Sequence, residues 1–206
     1  MRISNRGKVL LVGACMLAGA SAWAQQSQTP VSPAFSTDLA VTFAAERTQA
    51  LPGQANIWFK GGGADAAVTF NNGMGFAASL TGDHASNITP GVDANKFTFL
   101  AGPRYTWTAW HGHAKTADKR LQIFAQGLFG LTYGFNGQYP ATSGIASSAN
   151  SLAMQAGGGL NYYLTRKFGL RLLEADYVRT ALPNGAANIQ NDMRLSAGVT
   201  CHFGRR

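Results

Sequence analysis

The residues from Met193 to Phe203 alternate without a break between apolar and polar or small side chains. The apolar positions are Met193, Leu195, Ala197, Val199, Cys201 and Phe203. A period of two places one set of side chains on each face of a β-strand. The polar set carries one permanent charge, on Arg194, and a tilted strand of this length can cross a bilayer. The pattern therefore predicts a membrane-spanning β-strand.

The N-terminus has the three parts of a secretory signal peptide. An apolar core over 9–20 follows a basic region, and Ala22-Trp23-Ala24 offers a cleavage site. The basic residues are Arg2, Arg6 and Lys8. An alternative takes Cys15 as the lipidated cysteine of a lipoprotein, but this leaves only six apolar residues before it. We expect a signal peptide over 1–24.

The amino-acid composition also indicates a membrane protein. After the signal peptide, no second apolar stretch is long enough for a transmembrane helix, so a membrane location requires a closed barrel. Charged residues make up 13% of the chain, about half of the roughly 25% usual in soluble domains. The net charge of +8 falls to +5 once the three basic residues of the signal are removed. No basic run suggests nucleic acid as a partner.

Alternating segments separated by turn residues predict eight strands. They cover 37–47, 56–70, 74–85, 95–108, 119–133, 151–164, 168–180 and 190–203. The fold class predicted is an all-β, eight-stranded antiparallel up-and-down transmembrane barrel. A short periplasmic segment over 25–36 precedes the barrel, which spans 37–203, and a tail over 204–206 follows. An even strand number places both chain termini on the same side, which we expect to be the periplasmic side.

The connections alternate in length, as expected for short periplasmic turns and longer outer loops. Tight turns are predicted at 71–73 and 165–167, and the connection over 109–118 is long for that side. The outer loops are predicted over 86–94, 134–150 and 181–189. Basic residues, Arg120 among them, gather in the periplasmic connections, whereas the outer loops are nearly uncharged. This distribution argues against strong electrostatic capture of an anionic ligand by the loops.

Side-chain parity predicts which residues face the lumen. In the first strand Val41 and Phe43 oppose Thr42 and Glu46, and charged residues fall on the small, polar face in the other strands. The seventh strand needs a bulge near Leu173, because strict parity would send its two carboxylates into lipid. The predicted interior charge network is Glu46, Asp65, Arg104, Arg171, Glu174, Asp176 and Arg194.

Such a network is open to three interpretations: a catalytic cluster, a selectivity ring or a structural plug. An eight-stranded barrel is only wide enough for side chains to fill it, and buried charges need partners. We therefore favour a paired network that closes the barrel.

Together, the signal peptide, the eight segments and the terminal strand resemble the small outer-membrane β-barrel proteins, a family that includes the transmembrane domain of outer-membrane protein A. The segment from Ser196 to Phe203 is similar to the insertion signal that the β-barrel assembly machinery reads. The slots of that signal are filled by Ser196, Gly198, Cys201 and Phe203. The resemblance covers the mature chain and implies insertion into the outer membrane, with outer-membrane lipids and the assembly machinery as partners.

Other site chemistry is sparse. His111 and His113 would share a strand face, but only Asp118 lies near them, and metal sites want three or four ligands. We interpret them as solvated turn residues and expect no metal. The glycine-rich stretch over 61–66 scans as GxGxxA, yet no helix pattern follows to bind phosphate. We expect it to allow close strand packing and expect no cofactor.

One enzyme hypothesis remains. Outer-membrane lipid A deacylases are eight-stranded barrels with a His-x-Ser pair and a glutamate on the adjoining strand. This chain offers His84 and Ser86, with the histidine as a general base for the serine, but only Asp93 follows nearby and no glutamate matches.

The function predicted is therefore non-enzymatic. We expect an integral outer-membrane barrel with a side-chain-filled interior that contributes to envelope integrity or surface interaction. A narrow channel of the porin kind is the first alternative, and a lipid-modifying hydrolase using His84 and Ser86 is the second. A soluble periplasmic barrel is a further alternative. The sequence names no extracellular ligand.

Overall fold

The computed structural model describes residues 35–48, 57–89, 92–112, 120–141, 144–184 and 188–204. The predicted signal peptide and most of the predicted N-terminal segment lie outside these residues. The strands are β1 (Phe35–Thr48), β2 (Ile57–Phe70), β3 (Met74–Thr89), β4 (Val92–His111), β5 (Arg120–Ala141), β6 (Gly144–Tyr163), β7 (Phe168–Thr180) and β8 (Gln190–Phe203). In this part of the chain, no helix is long and apolar enough to span a membrane.

The eight strands close into an antiparallel barrel. Each strand pairs with the next in sequence, and β8 returns to pair with β1. Val41 of β1, for example, lies opposite Ala64 of β2 on one side and Val199 of β8 on the other. Closure leaves no strand edge unpaired within the barrel wall. The predicted fold class is therefore confirmed.

Side chains alternate between the two faces of the wall as parity predicts. On β1, Phe43 is 84% exposed, whereas the neighbouring Thr42 is 5% exposed. The outward face presents most of the large apolar side chains, and the inward face buries most of the charged ones. This distribution is the reverse of that in a soluble protein, whose apolar side chains are buried because their removal from water is favourable.

The bulge predicted in β7 is present. Arg171 pairs with Gly198 of β8 and Glu174 pairs with Ser196, so two residues of β7 face a single residue of β8. Both of these residues, Leu172 and Leu173, are exposed. The extra residue changes the parity, and Glu174 is therefore buried in the interior rather than placed on the outer wall.

Two predicted outer loops are instead strand. β3 and β4 continue pairing as far as Thr89 and Val92, so most of the predicted loop over 86–94 is a hairpin. The predicted loop over 134–150 is likewise the end of the β5–β6 hairpin, whose pairing reaches Ala141 and Gly144. Outside the bilayer, water can solvate both faces of a strand. Strong apolar alternation is therefore not required there, and these strand ends carry little sequence signal.

The connections on the opposite side are short where they were predicted to be short. Gly73 has a φ of 84°, which favours glycine, and its N–H donates to the Phe70 carbonyl at 2.9 Å. In the β6–β7 turn, the Thr165 hydroxyl accepts from the backbone N–H of Phe168 at 2.9 Å. β4 continues to His111, inside the connection predicted over 109–118, and residues 113–119 lie outside the described part of the chain.

Candidate functional site: the barrel interior

The polar residues inside the barrel form three layers along its axis. The outer layer consists of Glu46, Asp83, Lys96, Asp192 and Arg194. The central layer consists of Asp65, Arg104, Gln126, Asn161, Arg171 and Glu174. The periplasmic layer consists of Asp38, Arg120, Tyr163 and His202. All of these side chains are buried. Strand pairing fixes their heights, since Glu46 lies opposite Arg194, and Asp38 lies opposite His202.

In the outer layer, one carboxylate receives two cations from different strands. Arg194 donates from Nε and Nη2 to Glu46 Oε2, at 2.9 and 2.6 Å. Its Nη2 also donates to Asp83 Oδ2 at 3.0 Å. Lys96 forms an ion pair with Glu46, and its Nζ lies 3.9 Å from Asp192 Oδ2. These contacts join β1, β3, β4 and β8 across the lumen.

In the central layer, Arg171 bridges two carboxylates. Its Nη1 donates to Asp65 Oδ2 at 2.6 Å and to Glu174 Oε2 at 2.7 Å, and its Nε donates to Asn161 at 3.2 Å. Asp65 is on β2 and Arg171 is on β7, so this ion pair spans the barrel. Ser196 donates to the same Glu174 oxygen at 3.4 Å.

A second chain of contacts completes this layer. Arg104 donates from Nε and Nη2 to Gln126 Oε1, at 3.0 and 2.6 Å. Gln126 Nε2 in turn donates to Glu174 Oε1 at 2.8 Å. The ring of Phe124 lies beside both guanidinium groups, with its centroid 4.1 Å from Arg104 Cζ and 4.8 Å from Arg171 Cζ. Cation–π contact therefore adds to the ion pairing.

The periplasmic layer is centred on Asp38. Tyr163 donates to Asp38 Oδ1 at 2.7 Å, and His202 Nδ1 lies 2.6 Å from the same oxygen. The Arg120 guanidinium stacks on the Tyr163 ring at 4.4 Å. Arg120 was predicted among the cations of the periplasmic turns, although the fifth strand was predicted over 119–133; it lies at the periplasmic end, as predicted, but in the strand rather than in the turn. It opens β5 with its side chain inward, because a stacked cation near an interior carboxylate is stabilised there.

The three layers contain every residue of the predicted network except Asp176. That residue is buried opposite Arg194 in the β7–β8 register, between the central and outer layers. The sequence reasoning missed Asp38, Asp83, Lys96, Tyr163 and Asp192. Parity was the signal that could have found most of them, since Asp38 has the same parity as Thr42, and Asp192 the same as Arg194.

Chemically, this arrangement fills the lumen with charge, and most of it is paired: every carboxylate of the three layers lies within ion-pair distance of a basic or histidine nitrogen, whereas Asp176 has no such partner among the described residues. Seven of the nine carboxylates of the chain are buried in the described part of the barrel, together with four arginines and one lysine. Removing one partner of a buried ion pair is strongly destabilising, so the loss of one charged residue from a layer should destabilise the barrel. The residues hold one another in place, as a plug requires.

The predicted hydrolase pair lies elsewhere. His84 and Ser86 are both exposed on β3, outside the interior layers. His84 Nδ1 lies 2.9 Å from Oδ1 of Asn95 on β4, so this histidine contacts an amide rather than a carboxylate. Within the described residues, no group of three or more histidine, cysteine or acidic side chains could hold a metal ion, and His113 lies outside them.

The four residues of the predicted assembly signal lie on β8. Ser196 and Gly198 point inward, and Cys201 and Phe203 point outward. A side chain at Gly198 would collide with the wall, because its Cβ would lie 2.7 Å from Thr42 Cα. Close packing of β8 against β1 therefore requires this glycine.

Comparison with known proteins identifies the fold. No protein-family model matches the sequence, and no curated protein sequence matches it. The barrel is similar to the crystal structure of Ail, the attachment invasion locus protein of Yersinia pestis, in complex with the heparin analogue sucrose octasulfate. That match has 15% identity and a TM-score of 0.52, and covers 82% of this chain and 99% of Ail.

A second structure gives the same result. Neisserial surface protein A matches with 17% identity and a TM-score of 0.52, covering 83% of this chain and 98% of that protein. At these identities the likeness concerns the fold. The chain therefore has the small eight-stranded barrel fold of these surface proteins.

Proposed function

We propose that this chain is an integral outer-membrane barrel with a plugged lumen that supports envelope integrity or surface interaction and has no catalytic role. The observation that carries the proposal is the inversion of the wall, which is apolar outside and charged inside. Water would disfavour such an outer surface, because soluble monomers rarely expose large continuous apolar patches. A bilayer accommodates such a surface, because lipid tails are apolar. The closed barrel also satisfies its backbone hydrogen bonds internally, as the bilayer requires.

The height of the apolar outer surface supports membrane insertion. On β1 the outward positions from Phe35 to Ala45 are apolar except for Thr37. A tilted strand rises about 2.5 Å per residue along the barrel axis, so this stretch is about 25 Å tall. That is the height of the apolar band on outer-membrane barrels. Exposed aromatic residues such as Trp58 and Trp107 lie near its two ends, as interfacial girdles do.

The protruding β5–β6 hairpin supports a role at the cell surface. β4 pairs with β5 only as far as Phe135, and β7 pairs with β6 only from Ala153. Beyond these points the two strands pair with each other alone, as at Tyr139 and Ala146. The hairpin carries no charged residue between 134 and 150, and its free backbone edges could accept an added strand from a partner.

The same interior could instead line a narrow channel, and conductance separates the two functions. The experiment is a planar-bilayer recording on the refolded protein, with heat-denatured protein as the control. A plug predicts insertion without discrete current steps. Reproducible steps would replace the plug with a channel, and the charged layers would then act as its selectivity filter.

Assembly is part of the same proposal. The segment from Ser196 to Phe203 would present the outward Cys201 and Phe203 to the β-barrel assembly machinery. Phe203→Ala should lower the amount of folded barrel in cells while leaving refolding from urea into vesicles nearly unchanged. An equal loss in both assays would assign Phe203 a purely structural role.

A further inference from the structure

Basic side chains lie on the outer wall immediately above the apolar band. Arg47 of β1, Lys60 of β2 and Arg179 of β7 are exposed. On the outward face of each strand, counted from the periplasmic end, each is the first charged residue. On β1, Arg47 comes two residues after Ala45, about 5 Å higher along the axis. These cations therefore lie at the depth of lipid headgroups. We call the three residues the basic arc.

Strand pairing brings the members of the arc together. Arg47 lies opposite Trp58, two positions from Lys60 on the same strand. Outward side chains in that diagonal relation are neighbours, about 7–8 Å apart. Arg179 lies on β7, and β8 separates it from Arg47 on β1. On β8, Asn191 lies opposite Arg179, and Met193 lies opposite Arg47. Strands are about 4.8 Å apart, so the arc from β7 to β2 is about 15 Å wide.

The arc differs from the interior cations in lacking acidic partners. Arg171 and Arg194 are each paired with two carboxylates. Arg47, Lys60 and Arg179 form no ion pair with any described residue, because seven of the nine carboxylates point into the lumen. The outer loops are nearly uncharged as well. Among the described residues, no carboxylate pairs with the arc, so the arc can bind anions from outside the protein.

We propose that the basic arc binds the phosphate groups of a phosphorylated glycolipid in the outer leaflet. This inference rests on the proposed function, because it requires the barrel to be inserted with its hairpins outward. Arginine binds phosphate through two parallel hydrogen bonds, and lysine adds a point charge. The width of the arc suits a headgroup with two phosphates. The acyl chains would then lie on the apolar wall below, over Val41 and Phe43.

The test compares two double variants that each remove two positive charges. Arg47→Gln with Lys60→Gln disrupts the arc. Arg166→Gln with Lys167→Gln is the matched control, because those residues lie in the β6–β7 turn at the opposite end of the barrel. Dansyl-labelled bisphosphorylated lipid A is titrated into each refolded protein in zwitterionic micelles, and energy transfer from tryptophan reports binding. Lipid A without its phosphates and free inorganic phosphate are the comparison probes.

The wild type should bind bisphosphorylated lipid A more tightly than the dephosphorylated lipid, and free phosphate at the same concentration should not displace it. Each basic residue near a membrane surface contributes about 1 kcal/mol, or roughly fivefold in affinity. The arc variant should therefore bind about 25-fold more weakly, and the turn variant should match the wild type.

Equal binding by all three proteins would overturn the proposal. Equal weakening in both double variants would also overturn it, since net charge rather than the arc would then be responsible. Insertion is measured separately, by the heat-dependent shift of the folded band on gels after refolding into phosphatidylcholine vesicles. A wild-type chain that fails this assay would refute the proposed function itself, whatever the lipid titration shows.

Discussion

Removing the cation at the centre of the barrel should destabilise the protein severely. Arg171 is 1% exposed and is the common partner of Asp65 and Glu174, at 2.6 and 2.7 Å. Arg171→Met keeps a long side chain of similar reach but leaves two carboxylates buried without their main cation. Breaking a buried ion pair by removing one partner costs about 3–5 kcal/mol. We expect a loss of unfolding free energy in that range.

The assay is reversible urea unfolding in phosphatidylcholine vesicles, followed by tryptophan fluorescence. Arg179→Met is the matched control, because it makes the same substitution on the same strand at an exposed position, and it should change the unfolding free energy by less than about 0.5 kcal/mol. Neutralising one carboxylate as well, in Arg171→Met with Asp65→Asn, should recover at least about 1 kcal/mol.

The reasoning would be refuted if Arg171→Met cost less than about 1 kcal/mol, because buried carboxylates cannot lose their cation that cheaply. It would also fail if the double variant were less stable than the single one, since Asp65 would then need no cation.

Three further predictions concern other parts of the wall and lumen. Tyr163→Phe removes the 2.7 Å hydrogen bond to Asp38 and should cost about 1–3 kcal/mol in urea unfolding, whereas Tyr162→Phe should be nearly neutral. Deletion of Leu173 removes the extra residue and leaves Leu172 alone opposite Ala197, so Glu174 and Asp176 should stay in the lumen and the heat-shifted gel band should be retained; deletion of Ala175 reverses the parity at Asp176, turns it toward lipid and should abolish that band. Phe99→Arg places a charge at mid-depth on the lipid face and should lower the unfolding free energy by about 2–4 kcal/mol. Asn150→Arg, above the apolar band, should lower it by less than about 1 kcal/mol. Equal losses would favour a soluble barrel.

The sequence predicts the wall better than it predicts the strand ends. Within the bilayer, lipid favours an apolar residue at nearly every outward position, so the alternation predicts both the two faces of the wall and the β7 bulge near Leu173. Beyond the bilayer that constraint disappears, and the extended hairpin reaching Ala141 and Gly144 was predicted to be a loop. Pairing then depends on contacts with the partner strand, which a single segment does not reveal.

The interior shows a second limit. Parity alone places Asp65 and Arg171 in the lumen, but it does not show that they meet across the barrel. That contact depends on the closure of the barrel and on the stagger between strands, which are properties of all eight strands together. Arg120 shows the same limit, because its inward position follows from stacking on Tyr163, a residue more than 40 positions away in sequence.

The most direct test of the central claim is a spin-label accessibility scan along β1 in vesicles. Each residue from Leu39 to Ala45 is replaced in turn by a labelled cysteine, in a background that carries Cys201→Ser. Collision with lipid-soluble oxygen should be high at Leu39, Val41 and Phe43 and low at Ala40, Thr42 and Ala44, while a water-soluble nickel reagent should reach none of the outward sites. Strong nickel accessibility at Val41 and Phe43 would contradict the account, because the apolar wall would then face water.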